Sequence, residues 1–530
     1  MVQDDQEYHK RSFIEKVKAL SPAVKILLVF GMILIIATPI AIYFVTKNSP
    51  YPLKATYMVK MRDGIKLATD VYLPEEDGSF PFILFRTPYG KAEASSMAEF
   101  YSENGIGFIS QDHRGCHASE GEYTLFGSDG PDAQDTINWM KEQNWFNGKV
   151  ATEGGSARGI TQYMQVPYVD DLQCQAITIA TPKLYTQAIF QGGAPRKMLG
   201  ENWLNGIGQG HYYDYLFNFP LSSSNFAHQH QIDPWEWGNV TWPSMHLGGW
   251  YDCFSQGIID GYMGYQYHGG VGGKGNAKLI IGPWTHGIDS NPEGELQYPE
   301  NLKDPMSTDI FNAMFAEKLL DSNEYGDYRT FPNVTYYVMG DTTAQSNQWN
   351  RWATSSVWPI PYTNRSYYLQ PDQTLDIDLP SSSTECTYHY DPMNPVETRG
   401  GANLMDNNRG PYDQNPVEDG REDIIQFDYS VTEPLLVTGR ITVNLFITSN
   451  CTDTDFTAKL MDVHPDGRSM LITDGIVRMR SRAGQDKAVF MDGSDSTIYE
   501  CNIDLWSTSY FFNSGHKIRL SISSSNYPRF

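Results

Sequence analysis

Short apolar segments separated by turn residues and helical stretches are the feature that most constrains the fold of this chain. Each segment ends at a Gly, Pro or Asp turn, and several are followed by a helical pattern. The segments lie at residues 80–85, 105–111, 149–153, 175–180, 244–249 and 278–283. In residues 129–143, Ile137 and Met140 fall on one helical face. Strands that alternate with helices predict a parallel sheet whose two faces are covered by helices.

The regions on either side of this pattern show a period of two residues. Apolar and polar residues alternate around Asp63-Gly64, which predicts a β-hairpin. The same alternation returns in residues 435–450, in residues 458–472 around a Pro-Asp-Gly turn, and in residues 516–525. Such strands predict a C-terminal all-β domain, either a sandwich or a jelly roll.

The size, charge and cysteines of the chain exclude some classes of protein. A chain of 530 residues is too long for one core, so we expect two or three domains. Its formal net charge of −24 repels nucleic acid, and we exclude nucleic-acid binding. None of its cysteines lies in a CxxC pair, which argues against a zinc or redox motif. Cysteines, most plausibly among Cys386, Cys451 and Cys501, either pair in an oxidising compartment or remain buried free thiols.

Residues 26–45 have the composition of a transmembrane helix. They carry no charged side chain over about 20 residues, the length that a helix needs to cross a bilayer. Basic residues are more frequent before this segment than after it, which predicts that residues 1–25 are a cytoplasmic tail and that the large domain lies across the membrane. A secretory signal anchor is the first expectation, and a mitochondrial or other inner membrane is the alternative. Sequons that would then be open to glycosylation begin at Asn239, Asn333, Asn364 and Asn450.

Ser156 lies on a Gly-rich turn between a predicted strand and a predicted helix. The sequence there is GKVATEGGSARGITQYM, residues 148–164. Two interpretations are open at this point. The serine is either a nucleophile exposed on a sharp strand-to-helix turn or a simple N-cap of the helix.

Two further residues favour the nucleophile. Asp252 and His286 each follow an apolar strand and nearby glycines, and the order Ser156, Asp252, His286 is the order of an α/β-hydrolase triad. The carboxyl ends of parallel strands meet at one edge of a sheet, so we expect the side chains to converge there. His286 would act as the general base, and Asp252 would orient its imidazole and stabilise the imidazolium.

The oxyanion that such a nucleophile generates needs hydrogen-bond donors. We expect one from the backbone N–H of Ala157, directly after the serine, and one from the loop after an early strand. In that loop, RTPYGK, the phenol of Tyr89 is a suitable donor. Neither a metal nor an organic cofactor is required for this chemistry.

From about residue 55 to its end, the chain resembles the cocaine esterase and X-Pro dipeptidyl-peptidase family of α/β-hydrolases. The resemblance is carried by ordered segments that include MRDGIKLATDVYLP, RTPYGK, QDHRGCHASEGEY, GGWYDCF, GPWTHG, DTDFTAKLMDVHPDGR and SSSNYPRF. It implies that Ser156, Asp252 and His286 form the triad and that Tyr89 and Ala157 form the oxyanion hole. It also implies a C-terminal jelly roll that helps to wall the site.

The chain departs from the family pattern at several positions. Ala157 stands where the family usually has an aromatic residue, and its amide is retained. Arg158 stands where a small residue is common, and three roles are open: binding an acidic substrate group, crowding the helix–strand contact, or lowering the pKa of His286. We expect Asp112 and Arg114 to form a buried ion pair that orders their loop. Family members extend beyond the position of Phe530, so we expect either that the chain is a fragment or that its jelly roll is incomplete, with an exposed edge.

These observations predict an α/β-hydrolase domain with an inserted cap, a C-terminal jelly roll and one N-terminal transmembrane helix. The expected boundaries are 1–25 for the tail, 26–45 for the membrane helix, 52–184 and 244–355 for the hydrolase domain, 185–243 for the cap and 356–530 for the jelly roll. The predicted function is a membrane-anchored serine hydrolase that cleaves small esters, amides or short peptides through an acyl-enzyme. The alternative is a catalytically inactive family member that serves as a structural or binding subunit of a membrane assembly. The sequence leaves the oligomeric state open.

Overall fold

The protein is built on a large mixed sheet that continues into a C-terminal β domain. The computed structural model describes residues 53–170, 172–344, 346–404 and 408–530. Within these residues the main sheet has 12 strands, in the order β1-β2-β4-β3-β5-β6-β9-β10-β11-β19-β16, with β12 paired to β11. Its strands are β1 (Leu53–Lys60), β2 (Lys66–Tyr72), β3 (Phe80–Thr87), β4 (Gly107–Asp112), β5 (Phe146–Gly155), β6 (Leu172–Thr178), β9 (Ser244–Gly249), β10 (Ala277–Gly282), β11 (Val334–Gly340), β12 (Arg351–Ser355), β16 (Leu435–Ile447) and β19 (Tyr499–Phe512).

The remaining elements are short strands, the strands of a second sheet, and helices. The other strands are β7 (Phe190–Gln191), β8 (Ala194–Pro195), β13 (Tyr368–Leu369), β14 (Leu375–Asp376), β15 (Ile425–Ser430), β17 (Asp455–Val463), β18 (Ser469–Arg478) and β20 (Lys517–Ser523). The α-helices are α1 (Ser95–Glu103), α2 (Asp129–Lys141), α3 (Ala157–Met164), α4 (Lys197–Gly206), α5 (His211–Leu216), α6 (Asn225–His228), α7 (Ser255–Met263), α8 (Ser307–Leu320) and α9 (Asn415–Glu418).

The predicted parallel arrangement is confirmed. Strands β4, β3, β5, β6, β9, β10 and β11 pair in parallel, and each of the six apolar segments contributes one of the strands from β3 to β10. The predicted hairpin is the antiparallel pair β1–β2. In α2, Ile137 and Met140 are fully buried, as their shared helical face predicts. Parallel strands that end at one edge bring the loops after β5, β9 and β10 together.

The segment between β6 and β9 is helical and lies beside this edge. It contains a π-helix (Leu184–Ile189), α4, α5, α6 and a 3₁₀ helix (Glu236–Asn239). Its aromatic residues pack on each other and on the core of the main sheet, as in the stacked rings of Trp203 and Phe126, whose centroids are 5.6 Å apart. The segment therefore covers the carboxyl edge of the sheet.

The C-terminal residues form a β domain of two layers. Strands β15, β20, β17 and β18 make one sheet, and β16 and β19 extend the main sheet. The phenol of Tyr510 in β19 donates to Asp462 in β17 over 2.9 Å and joins the two layers. The last strand, β20, pairs on both sides with β15 and β17, so the expected exposed edge does not lie at this strand.

The structure corrects one expectation about an ion pair and decides another about the cysteines. Arg114 does not pair with Asp112; its guanidinium contacts Asp132 and Asp63, each at 2.6 Å. Asp112 accepts instead from the amides of residues 91 and 118, at 2.5 and 3.2 Å. All six cysteines are free thiols, but of the last three only Cys501 is buried, and Cys386 and Cys451 are exposed.

The predicted transmembrane helix, residues 26–45, and the tail before it lie outside the described residues. Among the residues that are described, no helix has both the length and the apolar composition needed to span a bilayer.

Candidate active site

Ser156 occupies a strained turn between β5 and α3. Its backbone has φ 59° and ψ −127°, in a region that serine rarely adopts. The side chain makes no N-cap hydrogen bond to α3, so the N-cap interpretation is wrong. Gly154 also has a positive φ of 142°, and a Cβ there would lie 2.7 Å from Cβ of Arg158. The glycines thus permit a tight turn that presents the hydroxyl at the sheet edge.

The three residues of the predicted triad meet at this edge. His286, after β10, places Nε2 2.9 Å from Oγ of Ser156 and Nδ1 2.7 Å from Oδ2 of Asp252. Asp252, after β9, is fully buried, and its other oxygen accepts from the amide of Phe254. This arrangement fixes the tautomer with hydrogen on Nδ1 and leaves Nε2 free to accept the serine proton.

The surroundings of His286 favour its charged form. Burial lowers the pKa of His286, but Cys253 and Asp252 act in the opposite direction, and the net pKa lies above its ordinary value. We attribute the rise to the Asp252 carboxylate, because a protonated thiol carries no charge. The thiol of Cys253 nevertheless lies close, with Sγ 3.6 Å from Nδ1. The site therefore stabilises the imidazolium that forms when Ser156 loses its proton.

Both predicted oxyanion donors lie next to the serine. Ala157 is the first residue of α3, where a backbone N–H has no acceptor within the helix. The phenol oxygen of Tyr89 accepts from Nε1 of Trp203 over 2.9 Å, which leaves its own hydrogen to donate elsewhere. Burial raises the pKa of Tyr89 and outweighs the opposing effects of Trp203 and Arg158, so the phenol keeps that hydrogen at neutral pH.

Of the three roles considered for Arg158 from sequence, the structure excludes the lowering of the pKa of His286. Its guanidinium lies over the rings of Phe85 and Tyr89, 5.3 and 5.7 Å from their centroids, and 3.9 Å from Oε1 of Glu93. The pKa of His286 is raised rather than lowered. Arg158 therefore supports the wall that carries Tyr89.

An apolar cavity opens beside Ser156. Its described lining consists, apart from the serine hydroxyl, of apolar and aromatic groups. They include Leu125, Phe126, Ile160, Leu184, Trp203 and Phe254. None of the described lining residues carries a charge. Such a lining favours an apolar acyl group over a charged one.

Sequence reasoning missed two residues of this site. Trp203 lies in α4, in a segment without a recognisable motif, and reaches Tyr89 across 114 residues of chain. Cys253 follows the predicted acid directly, yet no motif pointed to its contact with His286. Adjacency to Asp252 was the one signal that could have drawn attention to it.

Comparisons with known proteins agree with this architecture. Residues 63–214 match the family model of X-Pro dipeptidyl-peptidase (S15 family), and residues 328–530 match that of the X-Pro dipeptidyl-peptidase C-terminal non-catalytic domain. A cocaine esterase from Rhodococcus is 31% identical over 91% of this chain and 92% of its own length.

Solved structures show the same fold. An aminopeptidase from a marine sediment Thaumarchaeota archaeon superposes with a TM-score of 0.72 at 22% identity, covering 93% of this chain and 92% of the other. An α-amino acid ester hydrolase superposes with a TM-score of 0.72 at 21% identity, covering 93% of each chain. The identity to the Rhodococcus esterase over nearly the whole of both chains establishes the relationship, and the chain belongs to the cocaine esterase and X-Pro dipeptidyl-peptidase family of serine hydrolases.

Proposed function

We propose that this hydrolase is an esterase for substrates with an apolar or aromatic acyl group. The observation that carries the proposal is the cavity beside Ser156, whose described lining lacks charged side chains. A peptidase that releases N-terminal dipeptides needs an anionic group to bind the substrate ammonium. An apolar cavity favours an acyl group that presents only carbon to it.

The proposed mechanism assigns a role to each polar group. Oγ of Ser156 attacks the carbonyl carbon while Nε2 of His286 removes its proton. Asp252 stabilises the imidazolium, and the Tyr89 hydroxyl with the Ala157 amide binds the oxyanion. The imidazolium then protonates the leaving alkoxide. Water, deprotonated by the same imidazole, releases the acid and regenerates the serine.

A substrate panel tests this proposal. We expect p-nitrophenyl butyrate and benzoate to be hydrolysed with a higher kcat/KM than Xaa-Pro p-nitroanilides. Ser156→Ala should lower ester turnover by about 10⁶-fold, as loss of a triad nucleophile does elsewhere. Ser382→Ala, at an exposed position after β14, is the control and should retain full activity.

Each alternative outcome has a distinct meaning. A preference for Xaa-Pro anilides would overturn the esterase assignment and favour a dipeptidyl-peptidase. Ester activity that survives Ser156→Ala would refute the nucleophile. A folded wild-type protein that neither turns over the panel nor reacts with a fluorophosphonate probe would contradict the proposed mechanism altogether.

We further propose that residues 26–45 anchor the enzyme in a membrane with the catalytic domain on the far side from the N-terminus. The proposal rests on their uncharged, apolar sequence and on the basic residues before them. The full chain should stay in the membrane pellet through a carbonate wash, whereas a chain starting at residue 52 should not. Release of the full chain by carbonate would overturn the anchor.

The same topology would expose three of the sequons. Three of the four asparagines are exposed: Asn239, Asn364 and Asn450. The side-chain amide of Asn333 is occupied, because its oxygen accepts from Lys278 and its nitrogen donates to the carbonyl of Ser356. For protein produced in a secretory host, glycosidase treatment should therefore lower the mass by that of the glycans on Asn239, Asn364 and Asn450. An unchanged mass would contradict passage of the domain through the secretory pathway.

A further inference from the structure

A second cluster of ligand-type side chains lies where the β domain meets the main sheet. Asp341 follows β11, Asp462 lies in β17, His464 follows β17, and His516 precedes β20. Each of the four side chains is 8% exposed or less. Three separate segments of the chain, one from the hydrolase part and two from the β domain, thus contribute to a single buried polar cluster.

The rings and carboxylates face one another within the cluster. Nδ1 of His516 lies 2.9 Å from Asp462, and its Nε2 lies 3.9 Å from Asp341. Nε2 of His464 lies 3.5 Å from Oδ2 of Asp462, and its Nδ1 lies 3.7 Å from Asp341. Each imidazole is therefore placed between the same two carboxylates.

One nitrogen of this cluster has an unused lone pair or hydrogen. Nε2 of His464 is buried and has no hydrogen-bond partner among the described residues. Buried polar atoms are nearly always paired, so an orphan nitrogen that points at a carboxylate indicates a missing partner. Ligand atoms of Asp462, His464 and His516, one from each residue, lie within 4.8 Å of one another.

The set matches the preferences of a divalent transition metal. Zn²⁺ binds imidazole nitrogen and carboxylate oxygen at about 2.1 Å, which places tetrahedral ligand atoms about 3.4 Å apart. Supporting hydrogen bonds are also present: the Tyr510 hydroxyl donates to Asp462 over 2.9 Å, and the amide of Thr343 donates to Asp341 over 2.8 Å. Such outer contacts orient metal ligands. A divalent cation would also neutralise two buried carboxylates.

We propose that Asp462, His464 and His516 bind a Zn²⁺ ion. Asp341 faces the opposite nitrogens of both rings and holds them in place, so the site fastens the C-terminal β domain to the end of β11. Three protein ligands leave the fourth position of the ion to a water molecule. The proposal is independent of the esterase assignment, because none of the four residues belongs to the triad or the acyl cavity.

Zinc content and stability of the full chain test the proposal. Wild-type protein should hold about one Zn²⁺ per chain after dialysis, and a chelator should lower its Tm. His464→Gln should weaken zinc binding at least about 100-fold and abolish the effect of zinc on Tm. His228→Gln is the matched control and should leave the zinc content unchanged. It removes an exposed histidine that pairs with Asp233 outside the cluster.

The triad is the competing metal site, because Asp252, Cys253 and His286 also bring ligand atoms together. Cys253→Ala should leave the stoichiometry unchanged if zinc binds at the proposed cluster. Cobalt-substituted wild type, which needs no variant to fold, should show visible d–d bands without a thiolate charge-transfer band. Zinc binding that is absent, that is lost in Cys253→Ala, or that is unaffected in folded His464→Gln would overturn the proposal.

Discussion

At the residue scale, the reactivity proposed for Ser156 depends on a backbone conformation that costs free energy. A serine at φ 59° is strained by about 1–3 kcal/mol. The turn is held in place because the amide of Ser156 donates to the carbonyl of Thr178 in β6, over 3.0 Å, and because its carbonyl accepts from α3. The neighbouring strand and helix therefore maintain the strain.

Asp252→Asn tests the electrostatic role of the buried carboxylate. His286 must be neutral to act as a base, so activity is lost as pH falls through its pKa. Because the carboxylate raises that pKa, its removal should shift the acidic limb of kcat/KM to lower pH. The plateau of kcat/KM at high pH should fall by about 10⁴-fold. The reason is that the imidazole loses both the partner that fixes its tautomer and the negative charge that stabilises the imidazolium. The pH profile of ester hydrolysis measures both effects.

Cys253→Ala is the comparison for this prediction. The thiol contacts the same nitrogen, at 3.6 Å, but contributes no charge while it is protonated. We expect the acidic limb of kcat/KM in Cys253→Ala to stay near that of the wild type. If the acidic limb of kcat/KM shifts in Cys253→Ala but not in Asp252→Asn, the raised pKa of His286 is caused by the thiol instead.

At the scale of elements, the contact of α3 with β6 positions the nucleophile. Gly159 of α3 faces this strand so closely that a Cβ would lie 2.7 Å from Cβ of Ala180 and 3.0 Å from the carbonyl of Thr178. The helix can approach the sheet only because this position lacks a side chain.

Gly159→Ala should therefore displace α3 and destabilise the protein by about 1–3 kcal/mol, the usual cost of overpacking. Esterase activity should fall as well, since Ser156 and the Ala157 amide move with the helix. Thermal unfolding and kcat report the two effects. Gly238→Ala is the matched control, because no atom lies within 4 Å of the added Cβ. Equal Tm values for the two variants would contradict the close contact.

At the scale of the whole molecule, the hydrolase part and the β domain share one sheet. Met339 and Gly340 of β11 pair in parallel with Tyr510 and Phe511 of β19. A buried Arg196, before α4, further donates to the carbonyls of Cys253 and Ala402, at 2.7 and 2.8 Å. The acid loop, the cap and the segment leading to the β domain are thus joined.

This continuity predicts a single cooperative unfolding transition. Strands that pair across two domains cannot separate without exposing backbone hydrogen-bonding groups. Calorimetry, tryptophan fluorescence and residual esterase activity should give coincident midpoints. Two resolved transitions, with activity lost at the first, would show that the domains unfold independently.

Local periodicity and residue order were sufficient for the main features of the fold and for a candidate triad. The six apolar segments form strands because a short apolar run between turn residues is typical of a strand buried on both faces, and this is a local property. Ser156, Asp252 and His286 could be grouped from the sequence because parallel strands end at one edge. Once the strands were identified, Ser156 and His286 could be expected to lie close together although they are 130 residues apart in the chain.

Tertiary structure alone decided which charged groups became partners. Arg114 pairs with Asp132 and Asp63 rather than with its near neighbour, and Arg158 turns toward Glu93. The cluster around His464 and the contact of Trp203 with Tyr89 join segments with no common pattern. The spacing of apolar residues describes one helix or strand and the face that it buries. The partner of a polar side chain depends instead on strand order, on register and on the direction from which distant elements approach, and these are set only when the whole chain packs.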